Sequence, residues 1–360
     1  MLFARLFKFL VYISFGFNTL FLLAALSSPS FNPKYFWLPA LFGLFFKLFL
    51  AAHFFFILIF MIGRLKRLVW FSLIIIALCF TAIIHSAGFW LFGPQKLGRD
   101  HLKLMTYNVN NFEYFADTSD NLLIFNTIHK ENPDIICFQE YFINPKKHSS
   151  TLLKMKNLGY NYYYEYITEV LYPQNPVGQA IFSKLPFYNF TAIPFKNTSN
   201  GAFSVDIPYK NDTFRLFNIH FQSIGLRPHE VKIPSSYHDF EAPQKWYYKM
   251  LFVKIRDAFR KRSYQALKVK QFTDKSPFKV IVCGDFNDTP LSFLYHQLTK
   301  KLDDTFLRRG FGFGSTYAGM IPLQRIDYIL TDPSINTDQT RVVHNLGSDH
   351  YPVITSFSFH

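Results

Sequence analysis

Apolar residues fall in three long runs at the start of the chain and in short, interrupted stretches after it. The runs cover about residues 9–26, 36–62 and 68–91. Each is long enough to cross a bilayer, which takes about 20 helical residues. Beyond residue 100 the period changes. His101–Asn108 alternates and predicts a strand, and Asn121–Asn132 carries a helical pattern that Pro133 stops. Asp134–Phe138, Gly178–Ser183, Phe214–His220 and Lys279–Cys283 are short apolar runs of strand length. The pattern thus predicts a transmembrane helical region at 1–93, a Gly-Pro tether at 94–100 and a layered α/β domain at 101–360. The first run could instead be a signal peptide, but no clean small-residue cleavage site follows it and two further runs come after.

Charge sharpens this division. The chain carries a net +14, but residues 1–93 hold seven Lys or Arg and no Asp or Glu, so the remainder is only +7. Arg5 and Lys8 precede the first run, and Arg64, Lys66 and Arg67 fill the turn after the second, whereas Ser27–Tyr35 carries only Lys34. The positive-inside rule then places the N-terminus in the cytoplasm and, with three spans, the C-terminal domain outside it. Lys96, Arg99 and Lys103 pull the other way. With 45 Phe and 21 Tyr the chain is no disordered protein, and three cysteines exclude a disulfide-stapled mini-domain.

Polar residues gather where strands end. Asn108 closes the first strand and Glu140 follows the second; His220 ends LFNIH, and Asp285 and Asn287 lie in GDFND. Asp327 sits in RIDYIL, and Asp349 with His350 in SDHYPV. Taken singly, each is as readily a cap or turn residue, and His220 a satisfied core histidine. As a set they offer carboxylate and amide oxygens that suit Mg²⁺, or Mn²⁺ in its place, and two histidines for proton chemistry. No Cys–His spacing supports zinc, and neither a P-loop nor a nucleophile elbow is present. Hydrolysis of a phosphate ester needs this combination.

The ordered segments TYNVN, FQE, NIHFQS, GDFND, RIDYIL and SDHYPV resemble those of the endonuclease/exonuclease/phosphatase superfamily, over about residues 100–360. The resemblance implies a four-layer α/β sandwich, two packed β-sheets flanked by helices, of the DNase I-like kind. It implies that Glu140 is the principal Mg²⁺ ligand, with Asn108 and Asp349 beside the metal. Asp285 would orient or deprotonate the attacking water, and Asn287 would hold the phosphate or Asp285 itself. His350, paired with Asp327, would bind the scissile phosphate, and His220 would act as general acid at the leaving oxygen.

Substrate choice stays open at this level. Lys245–Lys275 holds ten basic and two acidic residues among aromatic ones. Such a helix could track a nucleic-acid backbone, which makes a nuclease the leading expectation. It could equally lie on an anionic bilayer, which makes a phospholipid head group the alternative substrate, as in neutral sphingomyelinases. Leu251, Ile255, Phe259 and Ala266 mark the face expected to turn inward. A catalytically dead membrane scaffold is a third reading, which the complete residue set argues against. Tyr160–Tyr166 is expected as a half-buried strand, and Gly310–Gly319 as a flexible loop lining the cleft.

Overall fold

The computed structural model describes residues 2–90, 101–112, 118–143, 148–170, 176–225, 244–319, 323–344 and 347–359. The tether expected at 94–100 lies outside the described residues. The three apolar runs fold as helices: α1 (Leu2–Ser27), then α2 (Leu38–Leu44) with α3 (Phe46–Ile62), then α4 (Lys66–Leu78) with α5 (Phe80–Ser86). Among the described residues, α1 is the one unbroken helix long and apolar enough to cross a membrane. The other two runs pass the same test only as pairs, bent by 65° and 53°. The third run was expected to stay helical to Leu91, but α5 stops at Ser86 and the chain enters a short strand, β1 (Gly88–Phe89). A Cβ on Gly88 would lie 2.3 Å from the Gly310 carbonyl oxygen, so this close strand pairing demands glycine.

The chain divides into two units, and the division does not follow the sequence boundary at 93. Met1–Ser86 forms the first unit together with Gly225–Ser263 and Thr289–His296. Within it Leu22, Ala25, Phe46, Ile75, Cys79 and Ala82 share an apolar core with Leu291. Trp37 meets Phe252 edge-on at 4.6 Å, and the Arg260 guanidinium donates to the Lys34 carbonyl at 3.2 Å. His53 is fully buried, with Nδ1 3.2 Å from the Asn18 amide nitrogen.

The second unit holds two six-stranded mixed sheets. One sheet runs β13 (Asn336–Val342), β14 (Val353–Ser358), β2 (His101–Phe112), β3 (Ile135–Phe142), β5 (Pro176–Ser183) and β4 (Tyr162–Val170). The other runs β10 (Asp303–Asp304), β12 (Asp327–Thr331), β9 (Lys279–Asp285), β8 (Asp212–His220), β7 (Gly201–Tyr209) and β6 (Tyr188–Pro194). Side-chain alternation along a strand explains the layering. Leu104, Ile135, Cys137 and Ile181 point between the sheets, against Phe203, Leu216, Ile281, Cys283 and Ile329. Their neighbours Met105, Ile136, Phe138 and Phe182 point outward, against Ile124 and Ile128 of α6 (Thr118–Glu131) and Met155 of α7 (His148–Asn157). Tyr164 and Tyr166 of β4 also pack on the inter-sheet core. Every strand foreseen is present, generally longer than expected, because pairing with a neighbour extends a strand past its apolar run.

Candidate active site

Two parallel strand pairs end at one edge and set the site. In β2–β3 Asn108 stands opposite Gln139, and in β8–β9 His220 stands opposite Asp285. Antiparallel pairing of β12 with β9 then lays Asp327 opposite Asp285. Glu140 is placed by an irregularity. The register of β3 against β5 shifts between Gln139 and Tyr141, and Glu140 takes a left-handed φ of 50°. Asn287 does the same at φ 52°. Left-handed backbone costs a non-glycine residue about 1–2 kcal/mol, and such strain concentrates at functional sites.

Asp285 is the hub. Its carboxylate accepts from the Asn287 backbone N–H at 2.7 Å, the Asn287 amide at 2.9 Å and the Asn108 amide at 3.0 Å. His220 Nε2 lies 3.7 Å from it and His350 Nε2 3.8 Å. Glu140 Oε1 accepts from the Asn108 amide at 3.2 Å and lies 3.5 Å from His220 Nε2. His350 Nδ1 faces Asp327 at 3.0 Å. Ser348 Oγ donates to the Asn108 carbonyl at 2.8 Å, which ties the Asp349–His350 turn to β2. The geometry thus brings all eight expected side chains around one edge of the sandwich.

Burial and charge split the ionisable groups. Burial holds the His220 imidazole down at about 4, against a smaller upward pull from Asp285. His350 is equally buried, yet the charges of Asp327 and Asp285 outweigh its desolvation and push it up to about 10. Burial, reinforced by Asp327, pushes the Asp285 carboxyl up to about 6. Burial also raises Glu140, and the nearby Asp349 charge adds to it. At neutral pH one histidine is therefore neutral and the other an imidazolium.

Asp285, Asp327 and His350 bring one ligand atom each within 4.8 Å of one another, a buried group able to hold a metal ion. In that group, His350 Nδ1 is already engaged with the Asp327 carboxylate at 3.0 Å. Glu140 and Asp349 fit a hard divalent cation better, since they are oxygen donors close enough for the Asp349 charge to raise the cost of ionising Glu140. Asn108 turns its amide nitrogen toward Glu140, with its oxygen accepting from the Asn110 N–H.

Three contributors escaped the sequence reading. Thr316 Oγ accepts from the Ile326 and Asp327 N–H groups at 3.0 and 3.1 Å and so fixes the start of β12. The Tyr317 ring lies 5.0 Å from the His350 ring, and burial together with Asp349, Asp285 and Glu140 raises its phenol. Gln139 donates to Asn218 at 2.7 Å beneath the site. The signals were indirect: Gln139 stands in FQE, and Thr316 and Tyr317 stand in the glycine-rich segment before RIDYIL, expected as a flexible loop but an ordered part of the site at these two residues.

The profile of the endonuclease/exonuclease/phosphatase family matches residues 105–350, more than half of the chain. The chain belongs to that family. It is accordingly a hydrolase, and its two packed, helix-flanked sheets are the DNase I-like fold. Residues 6–86 match a separate domain of unknown function. No curated protein matches the chain. Among solved structures, the human Nocturnin catalytic domain is similar at 19% identity and a TM-score of 0.54, covering 72% of this chain and 95% of that one. A family member from Beutenbergia cavernae gives 18% and 0.53, covering 72% of each chain. TDP2 from D. rerio, complexed with a single-strand DNA product, gives 16% and 0.51, covering 72% and 99%. These likenesses show the fold alone.

Proposed function

We propose that this family member is a membrane-anchored, Mg²⁺-dependent phosphodiesterase, and the observation that carries the reading is Asp285 seated between two buried histidines, with His220 Nε2 at 3.7 Å and His350 Nε2 at 3.8 Å. Glu140 and Asp349, with Asn108 beside them, would hold the ion, which supplies Lewis-acid polarisation of the phosphate when bound. Asp285, near 6 and oriented by Asn287 and Asn108, accepts the proton of the attacking water. His350, fixed by Asp327, offers an imidazolium N–H to the phosphate oxygens. His220 enters neutral, so the resemblance-based role of general acid needs a negative phosphate beside it to raise its proton affinity.

The protein is proposed to be multi-pass, with each bent helix pair forming one span. The Lys34–Trp37 loop shares a unit with Gly225–Ser263, which supports a common side of the membrane for both. Combined with the basic turn after α3, this favours a catalytic domain outside the cytoplasm.

Nucleic acid and phospholipid are the two substrate readings. The basic helix α8 (Gln244–Asp274) was the main argument for the first. Several of its cations have protein partners: Arg260 with the Lys34 carbonyl, Lys254 with the Gly225 carbonyl, Arg256 with Asp257, Lys268 with the Pro194 carbonyl and Lys270 with Asp274. Arg262 is buried over Phe259. The N-terminal half of α8 also belongs to the unit of the apolar helices, which favours a phospholipid phosphodiester. Full-length protein in vesicles, offered supercoiled plasmid and sphingomyelin in parallel, tests this. Phosphocholine release that EDTA abolishes and Mg²⁺ or Mn²⁺ restores is expected. Metal-dependent nicking without phosphocholine would return the substrate to nucleic acid, and activity surviving EDTA would remove the metal.

A further inference from the structure

The segment Gly310–Gly314 (GFGFG) has no part in the proposed chemistry, yet it is built tightly. Its Phe311 pairs with Phe89 in a two-stranded antiparallel sheet, and the Trp90 N–H donates to the Gly310 carbonyl at 3.2 Å. Cβ atoms on Gly310 and Gly314 would lie 2.5 and 2.4 Å from the Phe306 ring, so the loop's backbone is pressed onto that ring. The intervening phenylalanines point away: Phe311 is 69% exposed and Phe313 49%. Phe89 and Leu323 are also exposed. Beside them lies a cleft of about 520 Å³ lined by Trp90, Arg309, Asp338, His344 and Arg341, the last ion-paired with Glu131. Arg309 lies 4.2 Å over the Trp90 ring and donates to the Thr337 carbonyl, so its described partners are not carboxylates.

We infer that this aromatic loop is a membrane-docking wedge whose occupant is the interfacial zone of the bilayer that holds the chain's own helices. The inference rests on the anchoring proposed above. Phe89 follows Ser86, the last residue of the α4–α5 pair, by three residues, a chain length of at most about 11 Å. Where that helix ends in a bilayer, these rings lie within reach of the headgroup layer, the depth that aromatic side chains favour. An exposed apolar patch beside the Arg309 guanidinium fits the interfacial layer of a bilayer. The same loop continues into Thr316 and Tyr317, which brace Asp327 and lie against His350, so docking and the catalytic edge share one segment.

The test is a spin label on Phe311→Cys in the full chain, reconstituted in phosphatidylcholine–phosphatidylglycerol vesicles, with Lys210→Cys as a control. The three native cysteines are buried, which directs the label. The label at position 311 is expected to collide several-fold more with oxygen, relative to a nickel chelate, than the control label. Phe313→Cys should report the same from the second ring. Protein that floats with vesicles while both loop labels stay as nickel-accessible as the control overturns the wedge and leaves the anchoring intact. Protein that does not float overturns both.

Discussion

His350 Nδ1 lies 3.0 Å from the Asp327 carboxylate, across 23 residues of sequence. Both side chains are buried, and the charges of Asp327 and Asp285 outweigh that desolvation, so the pair is held as an imidazolium–carboxylate contact. Removing the imidazolium should cost transition-state charge stabilisation. His350→Gln is expected to lower kcat by about 10²–10³ with the fold retained. Steady-state kinetics on the vesicle substrate checks this, and an unchanged kcat would remove His350 from the reaction.

The two buried histidines and Asp285 also set a pH profile. Asp285 must be ionised to accept a proton, so kcat should fall as pH drops through about 6. His350 must be protonated, so kcat should fall again as pH rises through about 10. The His350→Gln variant should lose the alkaline limb and move the acid limb to higher pH, because the His350 charge helps hold the Asp285 carboxyl down. An alkaline limb that persists in the variant belongs to another group.

Gly284, immediately before Asp285, has φ 138°, and a Cβ there would lie 1.9 Å from the Ile219 carbonyl oxygen in the neighbouring strand. Gly284→Ala therefore forces β8 and β9 apart at the point that carries both His220 and Asp285. Denaturant unfolding should show a loss of about 3 kcal/mol. A variant as stable as the parent would show that the strands give way without cost.

Arg325 and Asp304 form a buried ion pair at 2.5 Å, and Asp304 also caps the helix Thr305–Arg309 through the Phe306 N–H at 2.8 Å. Neither residue touches the reaction. Truncating Arg325 to Ala strands a buried carboxylate and should cost about 3–5 kcal/mol. The comparison with Asp304→Asn/Arg325→Met is informative, because removing both charges should recover much of that loss. A double variant no better than Arg325→Ala would assign the cost to packing instead.

Much of this protein follows from local pattern. Long apolar runs can only be satisfied as buried or membrane helices, and short alternating runs as half-buried strands, so three helical regions and the central strands were readable directly. The site residues were readable because a strand end needs a turn, while eight polar residues beside apolar runs exceed what turns require. Other features depended on contacts between distant segments. The end of α5 at Ser86 was set by the pairing of Gly88 with Gly310–Gly312, and the place of Thr289–His296 in the first unit by Leu291 entering the core of the N-terminal helices. Protonation states were beyond any sequence pattern. His220 and His350 are the same residue type at similar burial, and the charges folded around each, carboxylates at His350 and the His350 imidazolium itself near His220, make one neutral and the other charged. Composition and periodicity thus determined which elements form and which residues stand at their ends. The tertiary structure alone decided which charges meet, because electrostatic energy in a desolvated site depends on distances that sequence separation does not fix.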